Sequence, residues 1–185
     1  MEEEIRSEAK AEKSVFGDRY DWVSTIVFTV VFMILVFAFL VRTNMVFGIS
    51  MLPTLTEEDL LLISRVAMEP GAGDIVVITK PIENEHSLIK RVIATEGQTV
   101  DIDFQSSEIY VDGILLDEPY INEPTRRSFD VLFPVVVPEG HVFVMGDNRN
   151  NSLDSRDSDV GMIDTRYILG RALWRVFPVD DFGVI

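Results

Sequence analysis

The chain has 185 residues, 31 of them Asp or Glu against 16 Lys or Arg, giving a net charge of −15. That balance excludes nucleic acid as a partner and favours neutral or cationic ones, although an acidic surface also serves solubility alone. There is no cysteine, hence no disulfide framework or thiolate chemistry, and with only His86 and His141 a His-rich metal site is excluded too.

In chain order, residues 1–21 read as a charged tail. Residues 22–41 (WVSTIVFTVVFMILVFAFLV) contain no charge. At about 1.5 Å per residue, a helix of that length spans roughly 30 Å, the thickness of a bilayer core. The segment is too long for a secretory h-region and Arg42-Thr43-Asn44-Met45 offers no small-x-small cleavage pattern, so a retained transmembrane helix is expected. Gly48-Ile49-Ser50 fits that pattern loosely, but lies well beyond the apolar run. Arg6, Lys10, Lys13 and Arg19 precede the span while Arg42 alone follows it closely, which places the tail in the cytoplasm and residues 42–185 outside.

Beyond Val41 the pattern changes to short β-type runs separated by turns. Strands are expected at Leu60–Val66, Asp74–Thr79, Leu88–Thr95, Thr99–Ile102, Ile109–Val111, Ile114–Leu116, Val135–Val137, His141–Met145 and Ala172–Phe177. Asp112-Gly113 marks a two-residue hairpin turn. The expected architecture is therefore mostly β: one N-terminal transmembrane helix followed by a compact extracytoplasmic domain over 42–185. Phe129–Val137 (FDVLFPVVV) reads either as a buried strand broken by Pro134 or as a patch resting on lipid.

Three clusters offer chemistry. Gly48-Ile49-Ser50-Met51-Leu52-Pro53-Thr54 places a serine in a Gly/Pro loop, and such a serine becomes nucleophilic only with a base and an oxyanion donor beside it. Leu88-Ile89-Lys90-Arg91-Val92-Ile93 places a lysine in an apolar strand, where alternation puts Lys90 on the face of Leu88 and Val92. Desolvation favours the neutral amine, which can act as a general base. Gly146 to Arg156 (GDNRNNSLDSR) is the densest polar stretch, able to build an ordered loop of Asp–Arg pairs. Each has a plain structural alternative: an ordinary loop, an edge-strand lysine and a solvated turn.

Taken in order, GISMLPT, GDIVV at Gly73–Val77, IKRVI at Ile89–Ile93 and GDNRNNSLDSR resemble the bacterial type I signal peptidases over the anchor and essentially all of 42–185. The resemblance implies a Ser–Lys serine endopeptidase that cuts preproteins after small residues at −1 and −3, with Ser50 as nucleophile and Lys90 as general base. It implies further that the Ser152 hydroxyl orients the lysine, that Asp154 and Arg156 form a supporting pair, and that Asp147, Arg149 and Arg91 are structural polar positions. Gly48 stands where some members carry a serine that donates to the oxyanion, so that side-chain donor is absent. Asn150 replaces the usual Asp, and Ala94-Thr95-Glu96-Gly97 replaces a Gly-x-x-Gly. No cofactor or metal is implied; membrane lipid and proximity to the secretion translocon are.

An independent geometric point agrees with that reading. Ser50 lies nine residues past Val41. Even fully extended, at about 3.4 Å per residue, it stays within roughly 30 Å of the span, where a membrane-held signal peptide presents its scissile bond. Two other readings remain open on the sequence. A self-cleaving repressor would need a DNA-binding module in place of the anchor, and a non-cutting paralogue would bind signal peptides without labelling at Ser50 by a serine-reactive probe.

Overall fold

The computed structural model describes residues 20–35, 41–64, 69–79 and 87–185. The chain divides into two compact units, Met1–Leu40 and Val41–Ile185. In the first, residues 20–35 form an α-helix whose apolar side chains are exposed throughout. The Thr25 and Thr29 hydroxyls donate to the carbonyls of Asp21 and Thr25, both at 2.8 Å, one turn back. No helix among the described residues is long and apolar enough to cross a membrane. Of the expected span, residues 36–40 lie outside the described residues, as do residues 1–19 of the tail. Val41, the last residue assigned to the span, instead opens a strand.

The second unit is mostly β, as expected. Its strands are β1 (Val41–Met45), β2 (Leu60–Ser64), β3 (Ile75–Ile78), β4 (Leu88–Thr95), β5 (Thr99–Asp103), β6 (Glu108–Val111), β7 (Ile114–Leu115), β8 (Val135–Val136), β9 (His141–Met145), β10 (Ile163–Asp164), β11 (Ile168–Phe177) and β12 (Gly183–Val184). The larger sheet runs β1-β2-β11-β3-β4-β9-β10, with β12 added to β11, and all its pairings are antiparallel. The smaller sheet runs β7-β6-β5-β8. The Asp112-Gly113 hairpin joins β6 to β7 with φ of 52° and 77°, the positive pair a tight two-residue turn requires. The Asp112 carboxylate accepts the Thr99 N–H at 2.8 Å and the Gln98 amide at 3.1 Å, bonds that hold its carboxyl below the usual range.

β4 is buried along both faces, so its residues divide between cores. Ile89 packs with Met51, Leu55, Leu61 and Ile63; Leu88 and Val92 pack with Val142, Val144 and Ile163; Ile93 packs with Val100, Ile109 and Phe143. Phe129–Val137 is neither a continuous buried strand nor a uniform patch. Val137 is buried and Phe133 stacks edge-on against Phe104 and Phe143 at 5.9 Å, while Leu132 is 86% exposed. Pro134 interrupts the run, and Val135–Val136 beyond it pairs against β5.

Candidate active site

The loop between β1 and β2 carries Ser50. Its mouth is closed by the Val46 N–H donating to the Asp59 carbonyl at 2.9 Å and the Glu58 N–H to the Val46 carbonyl at 3.0 Å. The Asp59 carboxylate accepts the Thr56 N–H at 2.9 Å and the Thr56 hydroxyl at 2.8 Å, and pairs with Arg175 on β11. Met51 and Leu55 sink fully into the core, so the serine is held from below by buried apolar side chains. Gly48 has φ of +78°, a region a side chain enters only with strain, and this turn presents Ile49 and Ser50 to the surface.

Lys90, in the middle of β4, is 3% exposed. Its Nζ lies 2.7 Å from Ser50 Oγ. The two side chains open onto a cleft of about 280 Å³ walled by Met45, Phe47, Ile49, Leu88, Ile89 and Leu153. A hydroxyl and an amine thus meet at hydrogen-bond distance in the wall of one cleft. The two groups lie 40 residues apart in the chain and are joined through the sheet, not by local sequence.

The third cluster packs against both. Arg91 grips Asp147 bidentately, through Nε at 2.8 Å and Nη2 at 2.7 Å, and Thr54 of the serine loop also donates to Asp147. Arg149 pairs with Glu118 and donates to Thr125 at 3.1 Å and to the Gly146 carbonyl at 3.2 Å. Arg156 holds Asp154 through Nε at 2.8 Å and Nη2 at 2.9 Å, and also donates to the carbonyls of Arg127 at 2.9 Å and Arg149 at 2.6 Å. Asp154 in turn accepts the Gly146 N–H at 3.0 Å. Three buried charged pairs are therefore tied to the backbone by further hydrogen bonds, the condition under which burying charge is tolerated.

The turn at Gly146 is where the two loops meet. A Cβ on that residue would lie 2.3 Å from Ser152 Oγ and 2.5 Å from the Ser50 carbonyl oxygen, closer than packed atoms approach. Ser152 is buried beside it, and among the described residues its Oγ makes no hydrogen bond. Asp154 and Arg156 thus brace the turn at Gly146 beside which Ser152 sits, while Gly48 lines the cleft.

Asn150, the departure noted in the sequence, has a physical account. Its Oδ1 accepts the N–H groups of Arg126 and Arg127 at 3.0 and 2.9 Å, and its Nδ2 donates to the Pro124 carbonyl at 3.1 Å. A carboxylate could accept the first two bonds but not make the third. Glu96, within the other departure, accepts the Gly140 N–H at 2.7 Å, while Ala94 packs fully buried in the core.

The site also holds residues the sequence analysis did not single out. Tyr120 lies under Arg91, with the guanidinium 4.0 Å from the ring centroid; burial, with the Glu118 charge adding to it, pushes its phenol up to about 12. Glu118 and Thr125 stand in a stretch without strand periodicity, and nothing in the sequence marks them as the partners of Arg149. Asn148 and Asn151 were visible only as members of a polar run.

Residues 19–177 match the family model for signal peptidase, peptidase S26. The chain is 36% identical over 172 residues to a signal peptidase I of Bacillus licheniformis, covering 88% of this chain and 90% of that one. A probable signal peptidase I-1 of Synechocystis is 42% identical over 144 residues, 72% of this chain and 70% of its own. A mitochondrial ATP-independent inner membrane protease subunit 1b of Arabidopsis thaliana is 37% identical over 141 residues, 74% of this chain and 70% of its own. The family model extends across the serine loop, β4 and the polar loop alike, and the chain belongs to the signal peptidase, peptidase S26, family.

Proposed function

We propose that this serine endopeptidase removes signal peptides from preproteins through an acyl-enzyme on Ser50, with Lys90 as its base. The observation that carries the assignment is the 2.7 Å contact between Lys90 Nζ and Ser50 Oγ, two residues that line one cleft. An amine deprived of water holds its proton less tightly, so Lys90 can take the Ser50 hydroxyl proton as Oγ attacks the scissile carbonyl. The Ser50 N–H receives the developing oxyanion. On collapse, Lys90 returns the proton to the leaving amine, and the ester on Oγ remains. Lys90 then takes a proton from water, hydroxide attacks the ester, and Oγ leaves with the proton that Lys90 carried.

Ser152 fits a role in the protonated stages. Once Lys90 becomes an ammonium it presents three donors, and an unpartnered hydroxyl oxygen buried in the same site is an acceptor ready for one of them. Asp154 and Arg156 support the turn at Gly146 against which Ser152 packs. Incubating the protein with a preprotein in detergent and sequencing the product tests the assignment. A single new N-terminus following a small-x-small sequence is expected; an intact preprotein, or cuts scattered elsewhere, would overturn it.

Membrane attachment belongs to the same proposal, with residues 22–40 as anchor, the tail cytoplasmic and the β-domain outside, near the translocon that delivers its substrates. The sheet supplies a second, independent support for contact with lipid. Met45 pairs with Leu60 and Leu60 with Phe177, while Thr43 pairs with Leu62, Leu62 with Trp174 and Trp174 with Val184. Directly paired residues share a face, and Leu61 and Ile63 occupy the opposite, buried one. The outer face of β1, β2, β11 and β12 is therefore largely apolar, and Met45, Phe177, Trp174 and Val184 are exposed on it. A face of this kind, beginning on the strand that continues the apolar segment, suits a bilayer surface. With Trp22→Phe leaving Trp174 as the sole tryptophan, brominated lipid in vesicles should quench the full chain's tryptophan emission. Emission unchanged by bromination would rule out lipid contact at this face.

A further inference from the structure

The strongest unassigned feature is the grip of one side chain on the serine loop. Asn148 is 4% exposed and reaches two consecutive carbonyls of that loop: its backbone N–H donates to the Ser50 carbonyl at 3.0 Å and its Nδ2 to the Ile49 carbonyl at 3.0 Å. The amide of Asn148 is itself oriented, because Asn151 Nδ2 donates to its Oδ1 at 3.2 Å and the Asn151 N–H to its carbonyl at 2.9 Å. The Ile49 carbonyl accepts a second bond, from the Leu52 N–H at 3.2 Å.

A trans peptide is planar, with its C=O and N–H pointing to opposite sides. Fixing the Ile49 carbonyl therefore fixes the direction of the Ser50 N–H, and fixing the Ser50 carbonyl does the same for the Met51 N–H. With the Ile49 oxygen held by Asn148 Nδ2, the Ser50 N–H points to the opposite side of that peptide plane, and residues 48–50 line the cleft. Gly48 contributes no side-chain donor, so the whole burden of receiving the oxyanion falls on backbone whose orientation must be set from elsewhere. We propose that Asn148 is the positioning residue of the oxyanion donor: its side-chain amide aims the Ser50 N–H, and Asn151 steadies that amide.

This inference rests on the Ser50 acyl-enzyme reading, and one kinetic series separates the two. Asn148→Asp keeps the size and the backbone bond but replaces the donor with a carboxylate facing the Ile49 carbonyl. Loss of one oxyanion donor costs about 10²–10³-fold in kcat, and a misdirected donor should approach the lower figure, with KM changed by less than about threefold. Affinity for a peptide aldehyde, which forms a tetrahedral adduct on a serine, should fall in parallel with kcat. A merely structural role would lower thermal stability without that parallel. Should Asn148→Asp fail to fold, Asn151→Ala removes only the part-buried side-chain bond that orients the amide and should lower kcat by about three- to tenfold at constant KM. Wild-type kcat in folded Asn148→Asp, or an effect on KM alone, would overturn the role of Asn148. Full activity in Ser50→Ala would instead overturn the underlying reading.

Discussion

Ser50→Ala and Lys90→Ala are each expected to lower preprotein cleavage by about 10³-fold or more while leaving the fold intact. Ser50 is half-buried, and its Oγ lies 2.7 Å from Lys90 Nζ. Removing the hydroxyl therefore deletes the nucleophile without opening a cavity in the core. Lys90→Ala removes the base and shortens a side chain in a buried strand, so some loss of thermal stability accompanies it. Lys90→Met separates the two effects, filling the same space with an unbranched apolar chain that cannot take a proton. Lys90→Arg should be as inactive as Lys90→Ala, because a guanidinium stays charged at any working pH. Cleavage kinetics beside thermal unfolding of each variant check these outcomes.

Gly146→Ala should produce the second largest loss, about 10²-fold in kcat with about 1–3 kcal/mol of destabilisation. The added methyl would meet Ser152 Oγ at 2.3 Å, the Ser50 carbonyl oxygen at 2.5 Å and Ser152 Cβ at 2.6 Å. Two of those atoms belong to a buried residue and the third to backbone, so none can swing aside cheaply. Relief requires the serine loop and the polar loop to separate, which stretches both Asn148 bonds and moves Ser50 relative to Lys90. Gly48→Ala is the informative contrast. Its Cβ would meet nothing within 4 Å, so the expected cost is only the backbone strain of φ +78°, about 1–2 kcal/mol. A Gly146→Ala enzyme with wild-type kcat would show that the loops tolerate separation.

Much of the fold was legible because apolar runs of alternating period, cut by Gly and Pro turns, report half-buried strands directly. β2 through β9 lie close to their expected positions, and the Asp112-Gly113 hairpin stands where its turn chemistry places it. β1 was missed for a physical reason. Arg42, Thr43 and Asn44 carry little apolar signal, and Val41 continues the apolar run before it, so the boundary between span and strand is blurred. β10 and β12 are two residues each and pair only through tertiary context. β11 starts four residues before the expected Ala172 because Ile168–Arg171 pairs with β3, a long-range contact that local periodicity does not encode.

The site was legible to a different depth. Neither Ser50 nor Lys90 stands out alone, and the order of motifs, through family resemblance, is what joined them. Within the polar loop, composition indicated Asp–Arg pairing but not its partners. That Arg149 pairs with Glu118 and Arg91 with Asp147 depends on how the loop folds back over residues 118–125. Asn148 was hidden for the same reason. Its function lies in which two carbonyls it reaches, and a sequence lists donors without their acceptors. Ser152 differs again: the resemblance implies the lysine as its partner, and its Oγ is buried without a hydrogen bond among the described residues.

The central claim is that Lys90 activates Ser50. The most direct measurement is covalent labelling of the full chain in detergent by a serine-reactive probe, with the modified residue located by mass spectrometry. Labelling confined to Ser50, and lost in Lys90→Met at unchanged thermal stability, is the predicted result. Labelling of Ser50 at the wild-type rate in that variant would contradict it.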